Sequence, residues 1–141
     1  MYVDGLCEPK NPGGTATYGF AVFSNSRKLV AEAGVTGAGP SMSNNVAEYS
    51  ALCEALKWLE KHGLQHENVI IKSDSRLLVN QMSGRWRINR GLYLNRFFEA
   101  RKLASAFQKI SFSWVPREEN TEADELSRKA YREHLNAKRA R

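Results

Sequence analysis

The chain has no run of about 18 apolar residues, the length a membrane-spanning helix needs, and no charged-then-apolar leader, so neither a span nor a secretory signal is expected. It has only two cysteines, Cys7 and Cys53, without CxxC spacing, which excludes a thiolate metal site and a disulfide framework. A reducing, cytoplasmic setting is the default for such a chain. Four prolines and ten glycines are too few for a collagen-like or low-complexity protein. Internal repeats and linkers are absent. The three histidines, His62, His66 and His134, have no plausible zinc partner and read as exposed helix or loop residues.

What is there fits one globular domain, residues 1–141, ending in a frayed basic tail from about residue 136. A chain this size buries roughly two thirds of its unfolded surface without staples. Lys and Arg number 21 against 15 Asp and Glu, a formal charge of +6, which hints faintly at a polyanionic partner. Residues 9–14 (Pro-Lys-Asn-Pro-Gly-Gly) make a loop after a very short first strand that Asp4 ends. Residues 17–24 alternate, 24–28 read as a hairpin turn, and 29–36 as a second antiparallel strand. The period then changes. Tyr49, Leu52, Cys53, Leu56 and Leu59 recur at helical spacing from Asn45 to about Glu60. Residues 69–72 form a buried strand, 75–82 a short helix, 91–107 a longer one, 110–114 a last strand, and 120 onward a last helix. The order β-β-β-α-β-α-α-β-α predicts an α/β fold with a five-stranded mixed sheet, helices packed on its faces.

Most acids sit on polar helix faces, but four stand at junctions between elements: Asp4, Glu48, Asp74 and Asp124. Each has a structural reading. Asp4-Gly5 suits a turn, Asn45-x-x-Glu48 and Thr121-x-x-Asp124 match capping boxes, and Asp74 suits an N-cap. Together they suggest a convergent crevice at strand ends. Clustered carboxylates repel one another, and an all-oxygen set without His or Cys suits Mg²⁺ or Mn²⁺.

The ordered pieces Tyr2-Val3-Asp4-Gly5, Asn11-Pro12-Gly13-Gly14, Tyr18-Gly19, Ser43-Asn44-Asn45-Val46-Ala47-Glu48, Ser73-Asp74-Ser75 and Asn120-Thr121-Glu122-Ala123-Asp124-Glu125-Leu126-Ser127 resemble the ribonuclease HI (type 1 ribonuclease H) family, in its short archaeal and Bacillus-like branch. They span nearly the whole chain. The resemblance implies a ribonuclease H-like fold and endonucleolytic cleavage of the RNA strand of RNA–DNA hybrids, leaving 5′-phosphate and 3′-hydroxyl ends. It implies two-metal hydrolysis with Mg²⁺ or Mn²⁺. Asp4 and Asp74 would be the central ligands, with Asp4 bridging. Glu48 and Asp124 would complete one site each, and Glu48 would also touch a ribose 2′-hydroxyl. Asn44 and Asn45 would reach the minor groove, helped by backbone around Gly5 and from Cys7 to Asn11. Asn11 and Ser43 would hold a DNA phosphate. Ser75 and Asn120 join this set of substrate contacts, and nothing in it reads base sequence.

The chain departs from the family in three places. The loop 115–120 has no His, and Arg117 stands in for it; an arginine cannot shuttle protons at neutral pH, so its role would be electrostatic. Residues 83–91 are too short for a basic protruding helix, leaving Arg85, Trp86, Arg87 and Arg90 as candidate DNA contacts. Arg76 stands where Gln is common and would contact the substrate backbone. The expected partner is a hybrid, with double-stranded RNA as an alternative, no membrane, and no second copy of the chain. An inactive hybrid-binding module is the remaining alternative.

Overall fold

Alternation in the first half and helical periodicity in the second resolve into a single sheet. The computed structural model describes residues 1–140. The strands are β1 (Tyr2–Glu8), β2 (Thr15–Ser24), β3 (Arg27–Ala38), β4 (Asn68–Ser73) and β5 (Lys109–Trp114). The helices are α1 (Asn44–Lys61), α2 (Arg76–Met82), α3 (Leu94–Ala104) and α4 (Thr121–Arg139), with one 3-10 turn at Arg117–Glu119. The sheet order is β3-β2-β1-β4-β5. β1 pairs antiparallel with β2 and β2 with β3, while β4 runs parallel to β1 and to β5. Element order and sheet type match the expectation.

Several boundaries do not. β1 continues four residues past Asp4, from Gly5↔Tyr18 to Glu8↔Thr15 on β2, because Leu6 and Cys7 are buried there. Only its first residue pairs with β4, at Tyr2↔Lys72. β4 stops at Ser73, so Asp4 and Asp74 stand at the point where the two parallel neighbours part. β3 is longer than 29–36, since the hairpin closes on Asn25 and Ser26 alone, at φ 51° and 69°. Two left-handed residues give the turn whose twist suits a two-residue hairpin. α3 is shorter than 91–107 at both ends: a turn closed by Leu94 N–H to the Gly91 carbonyl, with the Tyr93 hydroxyl on the Asn89 carbonyl, precedes it, and tight turns through Phe107 follow Ala104. Its stripe still packs inward through Phe97 and Ala100. α4 runs through Arg139, so most of the expected tail is helical; Arg141 lies outside the described residues.

The core between sheet and helices is built on Tyr49, Leu52 and Leu56 of α1, Phe20 of β2, Ile71 of β4 and Leu78 of α2. Tyr49 stacks on Tyr93 at 5.7 Å and meets Phe97 edge-on at 5.8 Å. Two glycines set how closely the helices approach. A Cβ on Gly5 would lie 2.3 Å from the backbone carbon of Ala47 in α1. A Cβ on Gly19 would lie 2.6 Å from the carbonyl oxygen of Ala123 in α4. Asp4 pairs with Gly19, and directly paired residues share a face, so Gly5 points to the other side. α1 and α4 therefore lie on opposite faces of the sheet.

Candidate active site

Four elements bring the acids together. Asp4 stands in β1, Glu48 in the second turn of α1, Asp74 just after β4 and Asp124 in the first turn of α4. Carboxylate oxygens of Asp4, Glu48 and Asp74 lie within 4.8 Å of one another. Asp124 lines the same open cleft, of about 680 Å³, without joining that trio. Its carboxylate is taken by Arg128 one turn on, whose Nε lies 3.2 Å from both oxygens.

The capping readings of these acids do not hold. α1 is capped by Ser43, whose Oγ accepts the Val46 amide at 3.2 Å, so Glu48 falls beyond the capping position and turns inward. Ser75, not Asp74, caps α2 by accepting the Leu78 amide at 3.1 Å. Asn120 precedes α4 without a side-chain cap, and Asp124 bonds Arg128 instead of the helix terminus.

Burial and mutual repulsion mark the cluster electrostatically. Desolvation, followed by the Asp74 charge, pushes Asp4 from 3.8 up to about 8. Glu48 is driven well above the ordinary glutamate value by desolvation and by Asp4 and Asp74. Asp74 is raised by desolvation and Asp124, with Arg117 opposing. Glu48 Oε2 is buried without a hydrogen-bond partner. Stacked carboxylates with an orphaned buried oxygen are expensive unless a cation sits among them. The donor set fits a hard divalent cation bound by oxygen.

The predicted substrate contacts sort into three groups. Asn11, Asn44, Asn45, Arg76 and Arg117 are exposed around or near the cleft. Asn44 Oδ1 accepts the Cys7 amide at 2.8 Å, and Asn11 Oδ1 accepts the Asn44 amide at 2.9 Å. Each side-chain oxygen is thereby occupied by a backbone N–H, and each NH₂ group is left to donate outward. Ser43 and Ser75 serve as caps whose hydroxyl protons stay free to donate. The second group, Gly5 and Cys7, lies within β1, not in a loop. The Cys7 amide is already used by Asn44, its thiol is buried, and Gly5 serves to admit α1. The third is Asn120, which corrects the expectation of a substrate contact. It is 1% exposed and its NH₂ bonds the Val3 carbonyl at 2.9 Å, tying β1 to the start of α4.

Trp86 is 48% exposed, in the irregular segment after α2, with Arg85, Arg87 and Arg90 also exposed around it. The segment is held by a buried chain of bonds. The Tyr49 hydroxyl donates to Gln81 Oε1 at 2.7 Å, and Gln81 Nε2 donates to the Tyr93 hydroxyl and the Arg87 carbonyl. The histidines stay apart from the acids; His62 stacks on Trp58 at 4.0 Å. Cys53 is buried and its thiol is pushed up to about 12 by desolvation, which makes it a packing residue.

Leu6, Glu8, Trp114 and Arg128 also line the cleft and were not among the expected site residues. Trp114 continues the alternation of Ile110 and Phe112 and so resembles core, yet it is 39% exposed at the strand end. Arg128 was legible only as an i+4 partner of Asp124.

A family model described as reverse transcriptase-like matches residues 3–130. The chain belongs to that family. This reverse transcriptase-like chain is 39% identical over 120 residues to a bifunctional protein of Mycobacterium tuberculosis, covering 85% of this chain and 32% of the relative. It is 34% identical over 129 residues to ribonuclease HI of Halobacterium salinarum, covering 92% of this chain and 62% of that protein. The chain thus spans less than two thirds of the length of these curated relatives. The crystal structure of RNase H1 from that archaeon matches at TM-score 0.82 and 28% identity, over 94% of this chain and 96% of the other. LC11-RNase H1 in complex with an RNA/DNA hybrid matches at TM-score 0.85 and 29% identity, over 95% and 96%. The resemblance to ribonuclease HI carried by the motifs is borne out, as is the fold.

Proposed function

We propose that this chain is a metal-dependent endoribonuclease that hydrolyses the RNA strand of RNA–DNA hybrids, leaving 5′-phosphate and 3′-hydroxyl ends. The convergence of Asp4, Glu48 and Asp74 within 4.8 Å, with Asp124 in the same cleft, carries the reading. Pure binding of a polyanion gains nothing from buried carboxylates. The complex of LC11-RNase H1 with an RNA/DNA hybrid supports the choice of substrate.

Asp4, Glu48, Asp74 and Asp124 would hold Mg²⁺ or Mn²⁺, two ions with substrate bound. Bound there, such ions supply Lewis-acid stabilisation of the scissile phosphate and an acidified water. The chain's own groups do the rest. The outward NH₂ groups of Asn11 and Asn44, with Asn45 beside them, donate to groove and backbone acceptors. Glu48 accepts from a ribose 2′-hydroxyl, the group that separates RNA from DNA. Ser43 and Ser75 donate to the backbone, and Trp86 with its neighbouring arginines meets the DNA strand by stacking and charge. This chain folds as one catalytic domain and acts as a monomer, in the reducing cytoplasm that its free, buried cysteines suit. Among the described residues, no helix is long and apolar enough to cross a membrane.

Arg117 is exposed on the 3-10 turn and lines the acid cleft, near enough to Asp74 for its charge to oppose the rise of that carboxyl. A permanent cation there would hold the scissile phosphate or ease the product away. Arg117→Ala should slow turnover about tenfold, the loss of one charge-assisted contact, with little change in metal affinity by calorimetry. Unchanged turnover would remove Arg117 from the site.

The deciding assay presents labelled RNA–DNA hybrid, double-stranded RNA and double-stranded DNA with Mg²⁺, Mn²⁺ or EDTA. We expect hybrid cleavage that EDTA stops and that Asp4→Asn or Asp74→Asn abolishes. Cleavage surviving EDTA, or surviving both substitutions, overturns the reading. Preferential cleavage of double-stranded RNA would reassign the substrate while leaving the acids in place.

A further inference from the structure

We propose that Trp114 is a positioning residue: its indole face seats the Arg76 guanidinium on the rim of the cleft, off the acids and toward the substrate backbone. The inference rests on the hydrolase reading above for the substrate, and on geometry alone for the seat. Arg76 Cζ lies 4.0 Å from the centroid of the Trp114 ring, a close cation–π distance. The ring cannot swivel freely, because its Nε1–H donates to the Asp74 carbonyl at 3.1 Å. Arg76 is the first residue of α2, so its backbone is fixed by the Ser75 cap. Both side chains line the cleft that holds the acids.

The seat solves a local conflict. Arg76 is two residues from Asp74, and a free guanidinium at that reach would pair with the carboxylate. Asp124 shows the outcome where nothing diverts an adjacent arginine: Arg128 holds both of its oxygens. Among the described residues, Arg76 forms no ion pair with an acid. Stacking on Trp114 keeps the charge intact and hydrated on its open side, where a phosphate can reach it.

The test measures affinity for an RNA–DNA hybrid in EDTA for the wild type, Trp114→Leu, Trp114→Phe, Arg76→Gln and Trp114→Leu/Arg76→Gln. Trp114 is part-exposed on an edge strand, and a thermal melt checks that each variant folds. Arg76→Gln should weaken binding about fivefold and lower the salt slope by about one. Trp114→Leu should weaken it about threefold. The double variant should be no weaker than Arg76→Gln. Trp114→Phe, which keeps a smaller ring and loses the N–H anchor, should fall between the wild type and Trp114→Leu. Additive losses, an unaffected Trp114→Leu, or a Trp114→Phe as weak as Trp114→Leu would overturn the positioning role. The seat is read separately by NMR, as an upfield ring-current shift of the Arg76 side-chain protons that Trp114→Leu removes. A wild type lacking that shift overturns the seat; a wild type with the shift that neither binds the hybrid nor, given Mg²⁺ or Mn²⁺, cleaves it overturns the hydrolase reading instead.

Discussion

Replacing Asp4 by asparagine is expected to abolish hydrolysis and, in EDTA, to stabilise the fold. The carboxyl is buried beside Glu48 and Asp74, and its pKa rises from 3.8 to about 8 on folding. An acid raised in this way favours the folded state while it stays protonated. Its contribution is complete below the unfolded value of 3.8 and is lost as pH rises through about 8. The metal-free wild type should therefore lose stability steadily across that interval, and Asp4→Asn should flatten the loss. Near pH 8 we expect the variant to be more stable by about 2 kcal/mol, roughly 6–10 °C in Tm. Below pH 4 the two should converge. Saturating Mg²⁺ should reverse the order, because the wild type gains more binding energy than a variant left with three of the four acids. Hydrolysis should fall by about a thousandfold or more, the scale of several kcal/mol of lost transition-state stabilisation. Melting curves from pH 4 to 8, with and without Mg²⁺, check this beside the cleavage assay. An unchanged or lower Tm for the variant in EDTA at pH 8 would sink the account of a strained acid cluster.

Gly5→Ala is the second large effect, and it strikes activity through the fold. The added methyl would lie 2.3 Å from the Ala47 carbon and 2.5 Å from the Glu48 nitrogen. These are backbone atoms in the first two turns of α1, so no side chain can swing aside. α1 must slide off β1 and carry Glu48 away from Asp4. Overpacking of this kind costs about 2–3 kcal/mol. A shift of 1 Å at a reacting centre costs on the order of a hundredfold in rate. We expect both losses together, read by thermal melting and by single-turnover cleavage. A Gly5→Ala protein with native Tm and rate would show that the close approach of α1 is not needed.

Much of this was legible because periodicity and junction chemistry are local. The order of elements follows from a change of hydrophobic period near Asn45, and the four acids stand out because they sit where strands end or helices begin. What escaped depends on contacts between distant segments. Asp4-Gly5 reads as a turn when only neighbours are considered; β1 passes through it because β2 pairs with it and α1 needs the glycine. Asn120 reads as a substrate contact, and it is buried instead, its NH₂ satisfying the carbonyl of Val3 at the other end of the chain. Trp114 keeps the alternation of an interior strand residue and is exposed because β5 ends at the cleft. Capping boxes fit two of the acids by spacing alone, and Ser43 won at α1 since a cap two residues earlier frees Glu48 to face inward.

The sheet order has a bearing on how the molecule comes apart. Asp4, Glu48, Asp74 and Asp124 come from β1, α1, the end of β4 and α4, which together span most of the chain. No local fragment, and no partly opened form that releases either terminus, holds the full constellation. A cation bound there is linked to global unfolding and not to fraying. The divalent-ion concentration around this protein would then act on its lifetime against proteolysis as well as on its turnover, as a fastener joining the first strand to the last helix.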